Sequence, residues 1–398
     1  MFCWDLLIYI ASFIDPSSEP YPIDKAFRPF VKSLHWLDKK LFHIGYDPAL
    51  HGGFPGDNHF GVVFYLTILL LVFICTIIWT IADRKRLSYD KLFYWFNVYL
   101  RYVLAITIFG YGIDKLIPAQ MPYPGTVELL TPLGEQGRFN VLWNFMGVSP
   151  GFMIFAGSCE IIGSLLLFYR RTYLFGALFT CTILTNVVAF NWFYNVPVKL
   201  FSLQLLLYDI YLVVPYISVL WLFFFRGQPA NPGLKSYGLQ TKWKKNVLRY
   251  NLIIIPLVIC IFSTIGVYNR YKEQQEERRR NKIYEVTSFV AGDSLPPLLT
   301  DTLRWRRFVQ NYKDYVIIYN MQDKTDWYQC DIDSIKKTFT LHDNPDKSTW
   351  HLFHYEYPAR DQLLLTGKWK GQDVVIRMKS VPLDSMYLNK EKIRLIQE

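Results

Sequence analysis

The run FGVVFYLTILLLVFICTIIWTIA at positions 60–82 holds no Asp, Glu, Lys or Arg, and a helix needs roughly 20 apolar residues to cross a hydrocarbon core. Runs at 92–117, 150–169, 173–192 and 198–225 are long enough to do the same, and a sixth occupies 247–268. Lipid offers the backbone no hydrogen-bond partner, so such runs fold as helices. With 52% hydrophobic and 19% charged residues over 398 positions, the chain is too apolar for an ordinary soluble protein. Its mean hydropathy is nevertheless barely positive, which calls for a membrane portion joined to a soluble one. Positions 1–14 are apolar but short for a span, and they lack the basic start and small-residue cleavage site of a signal peptide. They read as the shortened remnant of a seventh, N-terminal helix.

Short loops rich in Lys and Arg stay in the cytoplasm. Arg84, Lys85, Arg86 and Lys91 separate the first two long runs, Arg170 and Arg171 the third and fourth, and a group from Arg226 to Arg249 the fifth and sixth. The opposite loops hold only Arg138 and Lys199, so everything after 268 is expected outside the cytoplasm. The formal charge of +10 is then largely a topology signal, with no compact basic patch to bind nucleic acid. The six cysteines form no CxxC pair, and Cys330 stands alone in the outer portion, which excludes a disulfide within it.

The chain divides into an N-terminal segment at 1–59, a bundle at 60–268, a charged linker at 269–282 and an outer domain at 283–398. The first segment contains an amphipathic helix around 23–42. His35, His43, His51 and His59 recur every eight residues, but Gly and Pro between 47 and 56 break any helix that would align them, so no metal site is expected. Beyond 282 the long apolar runs give way to short alternating ones beginning near Tyr315, Trp327, Thr338, Trp350, Gln362 and Val374. With IYEVTSFV at 283–290 as an earlier strand and 301–311 as a capped helix, this spacing predicts an antiparallel meander that curls into a barrel to hide its edges. His351 and His354 fall on opposite faces of one strand, against a shared metal site.

The strings "IIWTIADRKRLSYDKLFYWFNVYLRYVLAITIFGYGIDKLIPAQMP", "TPLGEQG", "LWNFMGVSPGFMIFAGSCEIIGSLLLFYRRTYLFGAL" and "NVVAFNWFYNVPVKLFS" resemble the DoxX-like membrane proteins, particularly bacterial members that add a C-terminal β-domain. The resemblance covers roughly 77–225. It implies a small helical bundle in a bacterial cytoplasmic membrane, whose relatives have been linked to quinone-coupled sulfur oxidation, amine dehydrogenase maturation and, in eukaryotes, cargo export from the endoplasmic reticulum. No catalytic residue set is shared across those roles, so none carries over.

Three ionisable residues fall near the bilayer midplane. At about 1.5 Å per residue, Arg101 lies about 14 Å into its span and Glu160 and Asp209 about 16 Å. An isolated charge at that depth costs about 2.5–3.5 kcal/mol, so these side chains are expected to face the bundle interior, with Arg101 meeting Asp209 and Glu160 as a third member. A second cluster, Asp114, Lys115, Asn191, Asn195 and Lys199, lies toward the outer face. It reads either as snorkelling lysines with interfacial aromatics or as a ring around a polar headgroup.

Two functions follow. The chain is a membrane anchor, binding or assembly protein whose outer β-domain engages a lipid or a membrane or extracytoplasmic partner, a reading supported by missing CxxC, Walker, nucleophile-elbow and metal-spaced motifs. Alternatively it is a subunit of an oxidoreductase complex that holds a quinone near Arg101, Glu160 and Asp209. No cofactor is expected; a bound lipid under the first reading and a quinone under the second are the candidate ligands.

Overall fold

The computed structural model describes residues 22–48, 56–227, 242–311, 315–342, 350–386 and 388. The expected helix at 1–14 lies outside these. The chain forms two compact units that are not contiguous in sequence: residues 1–120 with 151–268, and residues 121–150 with 269–398.

In the first unit, helix α1 (Pro22–Leu37) ends in a π-helical turn, Asp38–Phe42. The Asp38 carboxylate there accepts hydrogen bonds from the backbone N–H groups of Ile44, Gly45 and Tyr46. Then follow α2 (His59–Ala82) and α3 (Asp90–Leu116). Two short helices of the other unit intervene, α4 (Thr126–Leu130) and α5 (Arg138–Gly147). The bundle resumes with α6 (Pro150–Phe168), α7 (Tyr173–Phe193), α8 (Lys199–Val213), α9 (Ile217–Arg226) and α10 (Lys242–Arg280). The run at 198–225 is thus two helices, because Pro215 in the tight turn Val214–Tyr216 brings no N–H to the ladder. Taking α8–α9 as one, six helices among the described residues are long and apolar enough to cross a membrane. The chain is therefore a multi-pass membrane protein.

The second unit is an eight-stranded antiparallel barrel. Its strands are β1 (Lys282–Ala291), β3 (Trp305–Asn311), β4 (Tyr315–Asn320), β5 (Thr325–Asp333), β6 (Thr338–His342), β7 (Trp350–Glu356), β8 (Gln362–Trp369) and β9 (Gln372–Val381); β2 (Asp293–Ser294) is a short hairpin partner of β1. Each strand pairs with the next, and β1 pairs with both β3 and β9, which closes the sheet and removes its edges. Alternation fills the interior. Val374, Ile376 and Met378 of β9 point inward, and Phe289, Trp305, Phe308, Phe353 and Trp369 occupy the centre. Cys330 is buried among them.

One expectation is corrected here. Residues 301–311 are not a capped helix. Asp301 does cap a turn, accepting from the N–H groups of Leu303 and Arg304, but β3 begins at Trp305. A bulge between Trp305 and Arg307 lets Trp305 and Phe308 both face inward while Val309 faces out, and the resulting apolar spacing of three and four imitates a helix face. The charged stretch 269–280 that joins the last span to the barrel is helical and continues α10.

β4 is buried on both faces. Val316 and Ile318 line the interior, whereas Ile317 and Tyr319 join Ile283 and Val309 in an outer cluster covered by Val127 and Leu130 of α4 and by Leu383 and Met386. The segment 121–150, inserted between two membrane helices, is thus part of the barrel's wall. Residues 121–150 and 269–398 must then share one side of the membrane, and the four candidate spans between them satisfy that.

A fragment of residues 269–398 expressed without 121–150 should expose Ile317 and Tyr319 and run as aggregates on size-exclusion chromatography. Fusion to 121–150, or Ile317→Thr with Tyr319→Thr, should restore a monodisperse peak. Ile376→Asp should unfold the barrel in every version, because it places an unpaired charge where the side chain is fully buried.

Candidate functional site

The buried face of α6 is spaced four and three residues apart: Met153, Gly157, Glu160, Ser164, Leu167. The two residues that matter most sit one turn apart on it, and α3 mirrors them with Gly112 and Lys115. A Cβ on Gly157 would lie 2.6 Å from the Gly112 carbonyl oxygen and 2.6 Å from the Leu116 nitrogen, and a Cβ on Gly112 would lie 3.1 Å from the Gly157 carbonyl oxygen. The helices therefore touch backbone to backbone, as small residues permit. A Cβ on Gly157 would also lie 2.9 Å from the Lys115 Cβ, so Lys115 packs beside Gly157 and its chain reaches Glu160 one turn along α6. The Lys115 Nζ donates to both carboxylate oxygens, at 2.8 and 2.9 Å, with both side chains buried.

This pairing differs from the expected one. Lys115 belongs by sequence to the outer-face cluster, yet it is the partner of Glu160, and Asp114 lies within electrostatic reach of the same carboxylate. Arg101 makes no ion pair with either acid among the described residues. Its guanidinium lies 5.3 Å from the Tyr102 ring centre and 5.4 Å from that of Tyr173, and the Tyr173 hydroxyl is 2.6 Å from that of Tyr216. A cation over aromatic faces is an alternative to an ion pair where water is scarce.

Asp209 is fully buried on α8 and meets Thr180 of α7, whose side chain also fills the space left by Gly163 of α6. The Thr180 hydroxyl oxygen is 2.6 Å from Asp209 Oδ2 and 2.9 Å from the Gly176 carbonyl oxygen. One hydroxyl has one proton. Thr180 donates to the Asp209 carboxyl, and the same proton is contested by the Gly176 carbonyl of its own helix. Among the described residues, the buried polar atoms of the bundle without a hydrogen-bond partner include Arg101 Nε, Ser164 Oγ, Gln204 Oε1 and Asp209 Oδ1.

The remaining outer residues separate. Asn191 is buried near the end of α7, and Asn195 is exposed with a positive φ of 58° in the turn that follows. Lys199 opens α8 and is held by a residue that sequence reasoning missed. Asp57 accepts from the backbone N–H groups of Lys199 and Leu200, at 2.7 and 3.2 Å, and its Oδ2 lies 3.4 Å from the Lys199 Nζ. It caps α8 from 142 positions away in sequence. The local signal misleads, since Asp57 and Asn58 together look like a cap for the run that follows; only Asn58 does that, accepting from Gly61. Among the described residues no three His, Cys, Asp or Glu side chains gather as a metal centre would need.

No family model matches the chain, and no solved structure matches it. A stretch of 99 residues, a quarter of the chain, is 31% identical to the uncharacterized protein YwoB of Bacillus subtilis (strain 168). The match spans 62% of that protein's length, so the chain covers less than two thirds of this relative.

Two outcomes test this geometry. Gly157→Ala should lower the melting temperature of the detergent-solubilised protein, because the added methyl meets backbone atoms that cannot yield, whereas Gly151→Ala on the same helix, with open space around it, should not. Asp209→Asn should stay within about 1 kcal/mol of the parent, since the amide keeps an oxygen that accepts from the Thr180 hydroxyl. Thr180→Val, which strands the carboxyl, should cost about 1–3 kcal/mol. A larger loss for Asp209→Asn than for Thr180→Val would show that Asp209 is held as an anion.

Proposed function

We propose that the chain is a multi-pass protein of a bacterial cytoplasmic membrane that presents its β-barrel outside the cytoplasm as a binding or assembly module for a membrane or extracytoplasmic partner. One observation supports this above others. The barrel interior is packed with aromatic side chains, while its uncovered wall, the outer face of β5–β7, displays Trp327 and Trp350 at 54% and 60% exposure. Around them, Gln329, His342 and Trp350 stand in one cross-strand row, and His342 Nε2 lies 3.0 Å from Asp331 Oδ2. Large exposed rings beside polar groups are the usual anchors of protein interfaces. The outward assignment rests on the Lys and Arg asymmetry of the loops, and the likeness to DoxX-like proteins fits the same reading.

The second reading, a quinone-associated subunit of an oxidoreductase complex, has the unpartnered Arg101 Nε, Ser164 Oγ and Asp209 Oδ1 in its favour. These could serve a ligand that both accepts and donates hydrogen bonds. Organic extraction of the purified protein should then yield quinone near one equivalent, and the anchor reading predicts none.

A photoreactive amino acid at Trp350 should form one adduct of defined mass in living cells, lost on Trp327→Ser, while the same group at exposed Lys368 should not. In intact spheroplasts, Lys368→Cys should react with a membrane-impermeant maleimide and Lys85→Cys should not. Labelling at Lys85→Cys alone would place the barrel in the cytoplasm.

A further inference from the structure

From Ile68 to Ala82 no residue of α2 is buried. This exposed half-helix and the turn after it bound a cleft of about 530 Å³, and a hollow of about 520 Å³ shares Cys75, Trp79 and Asp83 with it. Its lining is graded along its length. Val72, Cys75 and Trp79 line one end, and the hydroxyls of Thr76 and Thr80 are turned back onto the carbonyls of Val72 and Thr76, leaving an apolar surface. Asp83, Arg84, Arg86 and Tyr89 make the other end.

The charges at that end are not equivalent. Asp83 Oδ2 already receives the Tyr89 hydroxyl at 3.1 Å and Arg86 at 3.4 Å, and Arg86 Nε also donates to the Ser88 carbonyl while its guanidinium covers the Tyr89 ring at 4.9 Å. The carboxylate is thereby neutralised within the turn. Arg84 is exposed, and no hydrogen bond or ion pair holds it among the described residues. The polar end is left with one net cation, next to Lys85 in sequence. An apolar slot about as long as three helical turns that ends in a free guanidinium has the polarity of a lipid with an anionic headgroup.

We propose that this cleft seats one anionic glycerophospholipid, its acyl chain along Val72, Cys75 and Trp79 and its phosphate at Arg84. Trp79 lies between the two ends, the level at which indole rings sit in membranes. A second copy of the chain would need apolar contact along the whole half-helix and would gain nothing from a cation held at one end, so lipid is the occupant that the charge favours. The proposal is independent of the barrel's partner and of the bundle's polar core.

Native mass spectrometry of the full chain in mild detergent, titrated with dioleoyl phosphatidylglycerol or dioleoyl phosphatidylcholine, tests it. The parent should retain one phosphatidylglycerol about fivefold more strongly than phosphatidylcholine, the difference one interfacial cation makes. Arg84→Gln should erase the preference without changing folded yield. Cys75→Trp, which fills the slot and alters no charge, should release both lipids. Equal retention of the two lipids by the parent, an unchanged preference in Arg84→Gln, or a dimer that Cys75→Trp dissolves would each overturn the proposal.

Discussion

The ion pair between Lys115 and Glu160 is the interaction on which the membrane unit depends. An unpaired charge at the depth of Glu160 would cost about 2.5–3.5 kcal/mol, and Lys115 offsets that cost because Gly112 and Gly157 bring the two backbones into contact. Two N–H donors of one ammonium then meet both oxygens of one carboxylate. The geometry fixes helix register as well as energy, since a one-residue slip of α6 would turn Glu160 toward lipid. From that contact the order continues through Gly163 and Thr180 to Asp209, so α3, α6, α7 and α8 are joined by small residues and polar side chains rather than by apolar burial alone.

The barrel meets the opposite problem. In water its apolar residues must be hidden, and closure of β1 on β9 hides the edges while Trp305, Phe308, Phe353 and Trp369 fill the interior. Closure leaves an outer wall to dispose of, and the chain covers part of it with α4, borrowed from the loop between two spans. That borrowing makes the outer domain dependent on a segment more than 100 residues earlier. The sector it does not cover keeps two exposed tryptophans, where a binding function is proposed.

The six spans and the barrel were legible in the sequence because period and length decide them: long apolar runs have one stable form in lipid, and evenly spaced alternating runs have few in water. The cover over β4 was legible too, in hindsight. YVIIY lacks the alternation of a strand with one wet face, the mark of burial on both sides. Three things were hidden for physical reasons. The bulge in β3 shifts the apolar spacing toward that of a helix, so periodicity pointed the wrong way. Asp57 caps a helix that is remote in sequence, which no local pattern records. Depth along a helix suggested Arg101 as the partner of the buried acids, but depth is one coordinate; the Gly112 and Gly157 crossing, present in the sequence as two glycines each three residues before a charge, selects Lys115 instead.

A double-mutant cycle on Lys115 and Glu160 tests the account most directly. Lys115→Met and Glu160→Gln should each lower the melting temperature in detergent, because each strands a buried charge, and the combined variant should recover most of the loss, with a coupling energy of about 0.5–3 kcal/mol. Losses that simply add would contradict the account and leave the two side chains as neighbours that do not hold the helices together.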